Sequence, residues 1–235
     1  MFTPTRLALA TVLSLAFTPL AAQDFDESYA AYQAGDYATA LQGLKPLAEQ
    51  GSAGAQTILG VMYNQGQGVP LDDIEAGRWF LLAAQQGNAT AQLSIAIRYM
   101  AGSSVPQDHS EAVKWFRLAA QQGNATAQFR LGFYLRNGIG TLQDYVEAVK
   151  WFRLAAQQGN ATAQSQLGYS YQFEHGLPQD NTKAHMWLNI ASANGEATAG
   201  SSRIELAGEM TQADILKAQK LARECMSSDY QNCGW

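Results

Sequence analysis

Charged residues, histidine and cysteine are all scarce in this chain. Of its 235 residues, 15% are charged, three are His and two are Cys, and the formal net charge is −5. This charge argues against a nucleic-acid partner, because such a protein needs a basic face. The sequence contains no phosphate-binding loop, nucleophile elbow, H-E-x-x-H pair or dinucleotide-binding glycine pattern. We therefore expect no catalytic residue, no metal site and no cofactor.

The three histidines offer no alternative to that conclusion. His109, His175 and His185 are not separated by a spacing that would bring them together as metal ligands. His109 is expected in the first turn of a helix and His175 in a loop. We expect all three side chains to face the solvent.

Long apolar runs are also missing, apart from one near the N-terminus. The run from Leu7 to Phe17 follows Arg6 and precedes the small pair Ala21-Ala22. It is shorter than the roughly 20 residues that cross a bilayer. The layout is that of a secretory signal peptide at residues 1–22, cleaved near Gln23. An uncleaved anchor is the alternative. Cleavage would leave an exported protein, periplasmic or secreted, with no membrane span.

Cys225 and Cys233 are the two cysteines. In an exported chain an oxidised pair is the natural interpretation, and free thiols are the alternative. The predicted pair places a disulfide at the tail, residues 227–235.

A repeat with a period of 36 residues dominates the rest of the chain. Residues 111–128 and 147–164 both read EAVKWFRLAAQQGNATAQ. Tryptophans recur at this spacing, as do glycines and aspartates: Trp79, Trp115, Trp151 and Trp187; Gly51, Gly87, Gly123, Gly159 and Gly195; Asp72, Asp108, Asp144 and Asp180. A fixed period of this length is typical of a solenoid. The predicted fold class is therefore all-α, an α/α superhelical solenoid of helix hairpins.

Each unit is punctuated as two helices. Asp108 with Glu111 forms a capping-box pattern that starts one helix, and Gly123 ends it. Asn124 then caps the next helix at once. The Asn-x-Thr triplets that begin at Asn88, Asn124 and Asn160 are for this reason interpreted as caps, not as glycosylation sites. Small residues such as Gly132 are expected to admit large side chains from the partner helix.

The two ends depart from the repeat and are interpreted as capping units. Residues 24–50 resemble a tetratricopeptide unit, residues 51–200 form the repeats, and residues 201–226 hold a lone polar helix capped by Thr211. Terminal units of a solenoid need a polar outer face.

The chain resembles the Sel-one-like repeat family. The matching motifs are the Ala-Gln pairs at 55–56, 91–92, 127–128 and 163–164, Leu59-Gly60 with Tyr63, and the Ala-x-x-Trp pattern. The resemblance implies a scaffold for protein interactions, and its exported bacterial members are similar to envelope regulators or to factors acting on host cells. Some cysteine-rich members bind penicillin-like compounds and carry a disulfide in each repeat, whereas these repeats contain no cysteine.

A binding face is predicted on the first helix of each hairpin. The concave side of a solenoid is its usual site, and the helical phase places seven residues there: Leu93, Ile97, Phe129, Arg130, Phe133, Tyr169 and Phe173. The alternative is that these side chains fill seams between repeats. We expect a protein or peptide partner and no enzymatic activity. The competing hypotheses are a weak envelope hydrolase acting on β-lactams or amides, and a secreted effector that engages host proteins.

Overall fold

The computed structural model describes residues 25–234, and the regular structure in this range is entirely helical. The predicted signal peptide at residues 1–22 lies outside the described residues. In chain order the helices are α1 (Phe25–Gln33), α2 (Tyr37–Glu49), α3 (Ala53–Gln65), α4 (Asp73–Gln85), α5 (Ala89–Ala101), α6 (His109–Gln121), α7 (Ala125–Asn137), α8 (Tyr145–Gln157), α9 (Ala161–Gln172), α10 (Asn181–Ala193), α11 (Ala199–Ala207) and α12 (Gln212–Ser227). Helices that follow one another along the chain pack together, and α12 returns onto α10. The predicted all-α solenoid is confirmed.

The repeating hairpins are α3–α4, α5–α6, α7–α8 and α9–α10. We call the first helix of each hairpin the A helix and the second the B helix. Every described A helix begins after a Ser or Asn whose side-chain oxygen accepts the backbone N–H three residues on, as Asn124 does from Ala127 at 2.9 Å. This confirms the predicted caps. The B helix ends before Gly123, whose φ of 89° places it in the left-handed region.

The B helices are capped by Asp, but the complete capping box does not form. The carboxylate of Asp108 accepts the N–H of Glu111 at 3.0 Å. The N–H of Asp108 itself donates to the carbonyl of Tyr99 at 2.9 Å, so it is not available to Glu111. Glu111 pairs with Lys114 instead. Because the glutamate is not needed as a cap, the fourth repeat can carry Lys183 at this position and still be capped by its Asp.

Close packing within each hairpin depends on small residues of the A helix. A Cβ atom at Gly132 would lie 2.7 Å from the ring of Phe152, and one at Gly60 would lie 2.7 Å from that of Phe80. Phe152 and Trp187 are fully buried, as the predicted aromatic stripe requires. The three remaining tryptophans of the stripe pack half-buried against the cores: Trp79, Trp115 and Trp151.

A ladder of buried amides joins successive hairpins. Gln128 on α7 donates to the carbonyl of Ala120 at the end of α6, at 3.2 Å, and accepts from Gln158 at the end of α8, at 2.8 Å. The same pair of bonds recurs at Gln56, Gln92 and Gln164, with Asn194 replacing the last glutamine. Each of these A-helix glutamines therefore binds the end of the helix before it and the end of its own B helix; for Gln56 the preceding helix is α2. The Ala-Gln motif fixes how the hairpins stack.

The C-terminal segment contains two helices where one was expected. Thr211 caps α12 as predicted, but α11 precedes it. Cys225 and Cys233 form a disulfide with a Cα–Cα distance of 4.5 Å. The side chain of Lys183 donates to the carbonyl of Gly234 at 2.7 Å, which ties the tail to the last repeat. Within residues 25–234 no helix has the length and hydropathy needed to span a membrane.

The expectation that all three histidines face solvent is wrong. His185 is 2% exposed, because its helix, α10, is covered by α9, α11 and α12. Its position corresponds by repeat to Val113 and Val149, both of them core residues. Burial, followed by the nearby charge of Arg203, lowers the pKa of His185 below its ordinary value.

Candidate functional site

The seven residues predicted to line a binding face all lie on or beside α5, α7 and α9, and they divide into two groups. Ile97, Phe133 and Phe173 are 38%, 36% and 55% exposed. The other four are half-buried: Leu93, Phe129, Arg130 and Tyr169. Leu93, Phe129 and Tyr169 pack against the main core. Some of the seven side chains therefore pack into the core and others are open to solvent, and the binding face stays a prediction.

Exposed and half-buried side chains on or beside α7 and α9 make up a surface that we call the Arg–aromatic patch. It consists of Phe129, Arg130, Phe133, Arg136, Tyr169 and Phe173. The rings of Phe129 and Phe133 lie 6.4 Å apart, as do those of Tyr169 and Phe173. Arg136 of α7 donates to Gln166 of α9, which connects the two helices across the patch.

Neighbouring groups hold the patch in place. The hydroxyl of Tyr169 hydrogen-bonds to that of Ser202 on α11 at 2.9 Å. Phe173 contacts His175 at 6.0 Å between ring centroids, and His175 in turn stacks on Tyr145 at 4.6 Å. Burial, and then the positive charge of Arg136, lowers the pKa of His175. The imidazole is for this reason neutral near pH 7 and acts as part of the aromatic surface.

The A helices differ from the B helices in charge. The sequences of α3, α5, α7 and α9 contain arginine at positions 98, 130 and 136 and no Asp, Glu or Lys. The helices α4, α6 and α8 carry charges of both signs. The positive charge of Arg98 is compensated by Asp73 of α4. Within residues 25–234, Arg130 and Arg136 form no ion pair, so the patch carries two uncompensated positive charges.

A cleft of about 410 Å³ opens between α3, α4 and α5, beside Ile97. Arg98, 5% exposed, forms its inner wall. Its guanidinium donates to the carboxylate of Asp73 at 2.7 Å, to the side-chain oxygen of Asn64 at 2.7 Å and to the hydroxyl of Ser104 at 3.0 Å. A hydrogen bond from Ser103, followed by Arg98, lowers the pKa of Asp73. The cleft is therefore lined by a satisfied polar network.

This network joins the first two repeats, does not recur between later ones and was not predicted from the sequence. The residues that correspond to Arg98 are Met62, Tyr134 and Ser170. Ser104 has a φ of 58°, and its counterparts are all glycine: Gly68, Gly140 and Gly176. A Cβ at Gly77 would lie 3.0 Å from the Ser104 hydroxyl, so Gly77 provides its space. Simultaneous departures at three positions of two adjacent repeats, Gly77, Arg98 and Ser104, were the available sequence signal.

Of the three histidines, His109 lies with its Nδ1 atom 3.5 Å from the hydroxyl of Tyr134. No three His, Cys, Asp or Glu side chains among residues 25–234 lie close enough to hold a metal ion.

Comparison with known proteins yields one family and several solved structures. The Sel1 repeat matches residues 53–88, 89–124, 125–160 and 161–196. A Sel1 repeat protein from Oxalobacter formigenes is 28% identical, with a TM-score of 0.70 over 88% of this chain and 78% of that one. The protein c5321, described as a protective antigen of uropathogenic Escherichia coli with an SLR fold, is 29% identical. Its TM-score is 0.72, over 87% of this chain and 47% of that one, so this chain spans about half its length. No curated protein matches.

Proposed function

The chain belongs to the Sel1 repeat family, and from this premise we propose that it is an exported scaffold that binds a protein or peptide on the concave side formed by its A helices. Sel1 repeats generally mediate protein–protein interaction. The proposed role is that of a regulator in the envelope or in signalling, without catalysis of its own.

One observation carries the placement of the site. The two identical segments, residues 111–128 and 147–164, contain nearly all of α6 and α8, the asparagine that caps the next A helix and two glutamines of the ladder. The sequences diverge immediately afterwards, at Phe129 and Ser165, on the A helices. The stacking residues are thus constant while the neighbouring face varies. A scaffold that presents different side chains to a ligand at each repeat has this pattern. Exposed aromatic residues and arginine are also favoured at interfaces.

Export is supported by two independent features. Residues 1–22 have the layout of a signal peptide, and Cys225 and Cys233 are paired as in proteins of oxidising compartments. Fractionation of expressing cells and N-terminal sequencing test this, with the product expected outside the cytoplasm and beginning near Gln23. A cytoplasmic product that retains Met1 would contradict export. The resemblance to a protective antigen of a pathogen keeps a secreted effector as the alternative destination.

The binding face is tested by affinity capture from envelope extract with wild-type protein and with two single variants, Phe133→Ala and Tyr169→Ala. Leu154→Ala is the matched control, because Leu154 is a 42%-exposed apolar residue on α8, a B helix. We expect the partner to be retained by the control and lost by at least one A-helix variant. Retention by both A-helix variants would show that binding does not use this face.

The hydrolase alternative is tested with a chromogenic β-lactam. The proposed scaffold is expected to give no steady turnover, and no group of three metal-binding side chains occurs within residues 25–234. Sustained hydrolysis by purified protein would require chemistry that the proposed function does not include.

A further inference from the structure

Resting on the proposed scaffold function, we infer that the Arg–aromatic patch binds a linear acidic segment of the partner that also carries aromatic or large aliphatic side chains. The inference specifies the chemistry of the ligand, which neither the family nor the fold supplies.

The patch carries positive charge without an acidic partner among residues 25–234. No described carboxylate pairs with Arg130 or Arg136, which lie on one helix of a chain whose net charge is −5. Among the described residues, the side chain of Arg136 donates to the neutral amide of Gln166. Its positive charge contributes to the lowered pKa of His175. An acidic segment would supply the missing counter-charge.

The guanidinium of Arg130 lies over an aromatic ring of the patch. The guanidinium carbon of Arg130 lies 5.9 Å from the centre of the Phe129 ring. An arginine held over an aromatic ring keeps its in-plane N–H groups available to a carboxylate, which they can bind in a bidentate manner. The Nε atom of Arg130 is itself buried, but no hydrogen bond to another described residue occupies the two terminal nitrogens, Nη1 and Nη2, which are the groups left for a carboxylate. The arginine is therefore positioned to receive an acidic group.

Exposed aromatic rings lie beside these charges. Phe133 and Phe173 are 36% and 55% exposed, and each lies within 6.4 Å of the ring of another patch residue. Exposed aromatic rings next to an arginine can bind an apolar side chain of a ligand while the arginine binds an adjacent acidic residue of the same ligand. Nucleic acid fits less well, because its phosphates would face two arginines on an otherwise acidic protein.

The experiment is selection of binders from a displayed library of random linear peptides, using protein purified from cells that express the whole chain. Selected peptides are then synthesised with a fluorophore, and their affinity is measured by fluorescence anisotropy. We expect Asp and Glu to be enriched together with Phe, Tyr, Trp or Leu. Binding should weaken by about tenfold when salt is raised from about 50 mM to about 500 mM, because screening removes the charge attraction.

Two matched pairs of variants assign the binding to the patch. Arg130→Gln/Arg136→Gln should weaken the selected peptides by about tenfold or more. The control Lys150→Gln/Lys217→Gln removes the same charge from exposed lysines of α8 and α12, and should change affinity by less than about twofold. Phe173→Ala should weaken binding, whereas Leu154→Ala should not. Circular dichroism verifies that every variant keeps its helical content.

The outcomes separate this inference from the proposed function. The acidic-ligand inference is overturned if the selected peptides are basic or neutral, or if their affinity is unchanged by Arg130→Gln/Arg136→Gln. The protein would then still be a peptide-binding scaffold. Peptides that bind the control and all patch variants equally overturn both the inference and the use of the A-helix face. A selection that enriches no peptide overturns the inference, and the capture experiment above then decides separately whether a folded protein is bound.

Discussion

Gln128 offers the sharpest test of how the repeats are held together. It is 4% exposed, with its amide nitrogen 3.2 Å from the carbonyl of Ala120 and its amide oxygen 2.8 Å from the amide of Gln158. A carbonyl oxygen can only accept, so the atom of Gln128 that faces Ala120 must be the donor. Any replacement that keeps the shape but removes this donor isolates the contribution of the ladder.

Gln128→Leu removes both bonds, each with a net worth of about 1 kcal/mol. The loss is limited, because the carbonyl of Ala120 still accepts from Gly123 at 3.0 Å and the amide of Gln158 still reaches the carbonyl of Leu154 at 3.4 Å. The added apolar side chain also offsets part of it. We expect the free energy of unfolding to fall by about 1–2 kcal/mol.

Gln128→Glu should be more damaging at neutral pH and should recover in acid. The carboxylate can still accept from Gln158, but its second oxygen faces the carbonyl of Ala120 and repels it. Burial therefore raises the pKa of this carboxyl in the folded state above its unfolded value of about 4.3. Relative to wild type, stability is then retained below about pH 4.3 and lost as pH rises, by up to about 1.4 kcal/mol per pH unit.

The assay is urea unfolding followed by circular dichroism and tryptophan fluorescence, with wild type measured at every pH. Gln121→Leu and Gln121→Glu are the controls, because Gln121 is exposed at the end of α6. They should change the free energy of unfolding by less than about 0.5 kcal/mol. The ladder would be refuted as a stabilising device if Gln128→Leu behaved like its control, or if Gln128→Glu showed no extra dependence on pH.

Two further predictions concern buried charge. The pKa of His185 is lowered from its ordinary 6.5, so its contribution to stability is present above about pH 6.5 and is lost as pH falls below that value. The variant His185→Val copies Val113 and Val149 of the other repeats. It should make the fall in the free energy of unfolding between about pH 6.5 and 5 less steep. An unchanged slope would contradict the burial argument. Asp73→Ala should lower the free energy of unfolding by about 2 kcal/mol, because it leaves the Arg98 guanidinium buried without its counter-charge. Arg98→Met copies Met62 of the first repeat and should lower the free energy of unfolding by less than about 1 kcal/mol. Thermal unfolding of both variants checks the order, and the reverse order would contradict it.

The fold was predictable because its information is local and repeated. Local rules predict that helices start at Asp or Asn and end at Gly123 and its equivalents, and that small residues lie opposite aromatic rings. These rules act within one repeat, and the same sequence pattern recurs in the next repeat. The capping box was only half right, since the N–H of Asp108 is used by a carbonyl of the preceding helix, which no local rule anticipates. Similarly, the side chain of His185 is buried because α11 and α12 cover α10.

The candidate site was less predictable for a related reason. Helical phase identified the side of the A helices, but it could not separate Phe129, which packs into the core, from Phe133, which does not. Those two residues are four apart on one helix, and only the position of α8 and α9 decides which is covered.

The amino-acid sequence by itself determined the periodic helices, their caps and the family, because each depends on contacts between residues close in the chain or one period apart. Only the tertiary structure decided which charges remain unpaired, that Arg98 is compensated by Asp73 while Arg130 and Arg136 are not, and that glutamine amides join the hairpins. The reason is physical: ion pairs and buried amide bonds depend on distances of a few ångströms between different helices, which spacing along the chain does not specify.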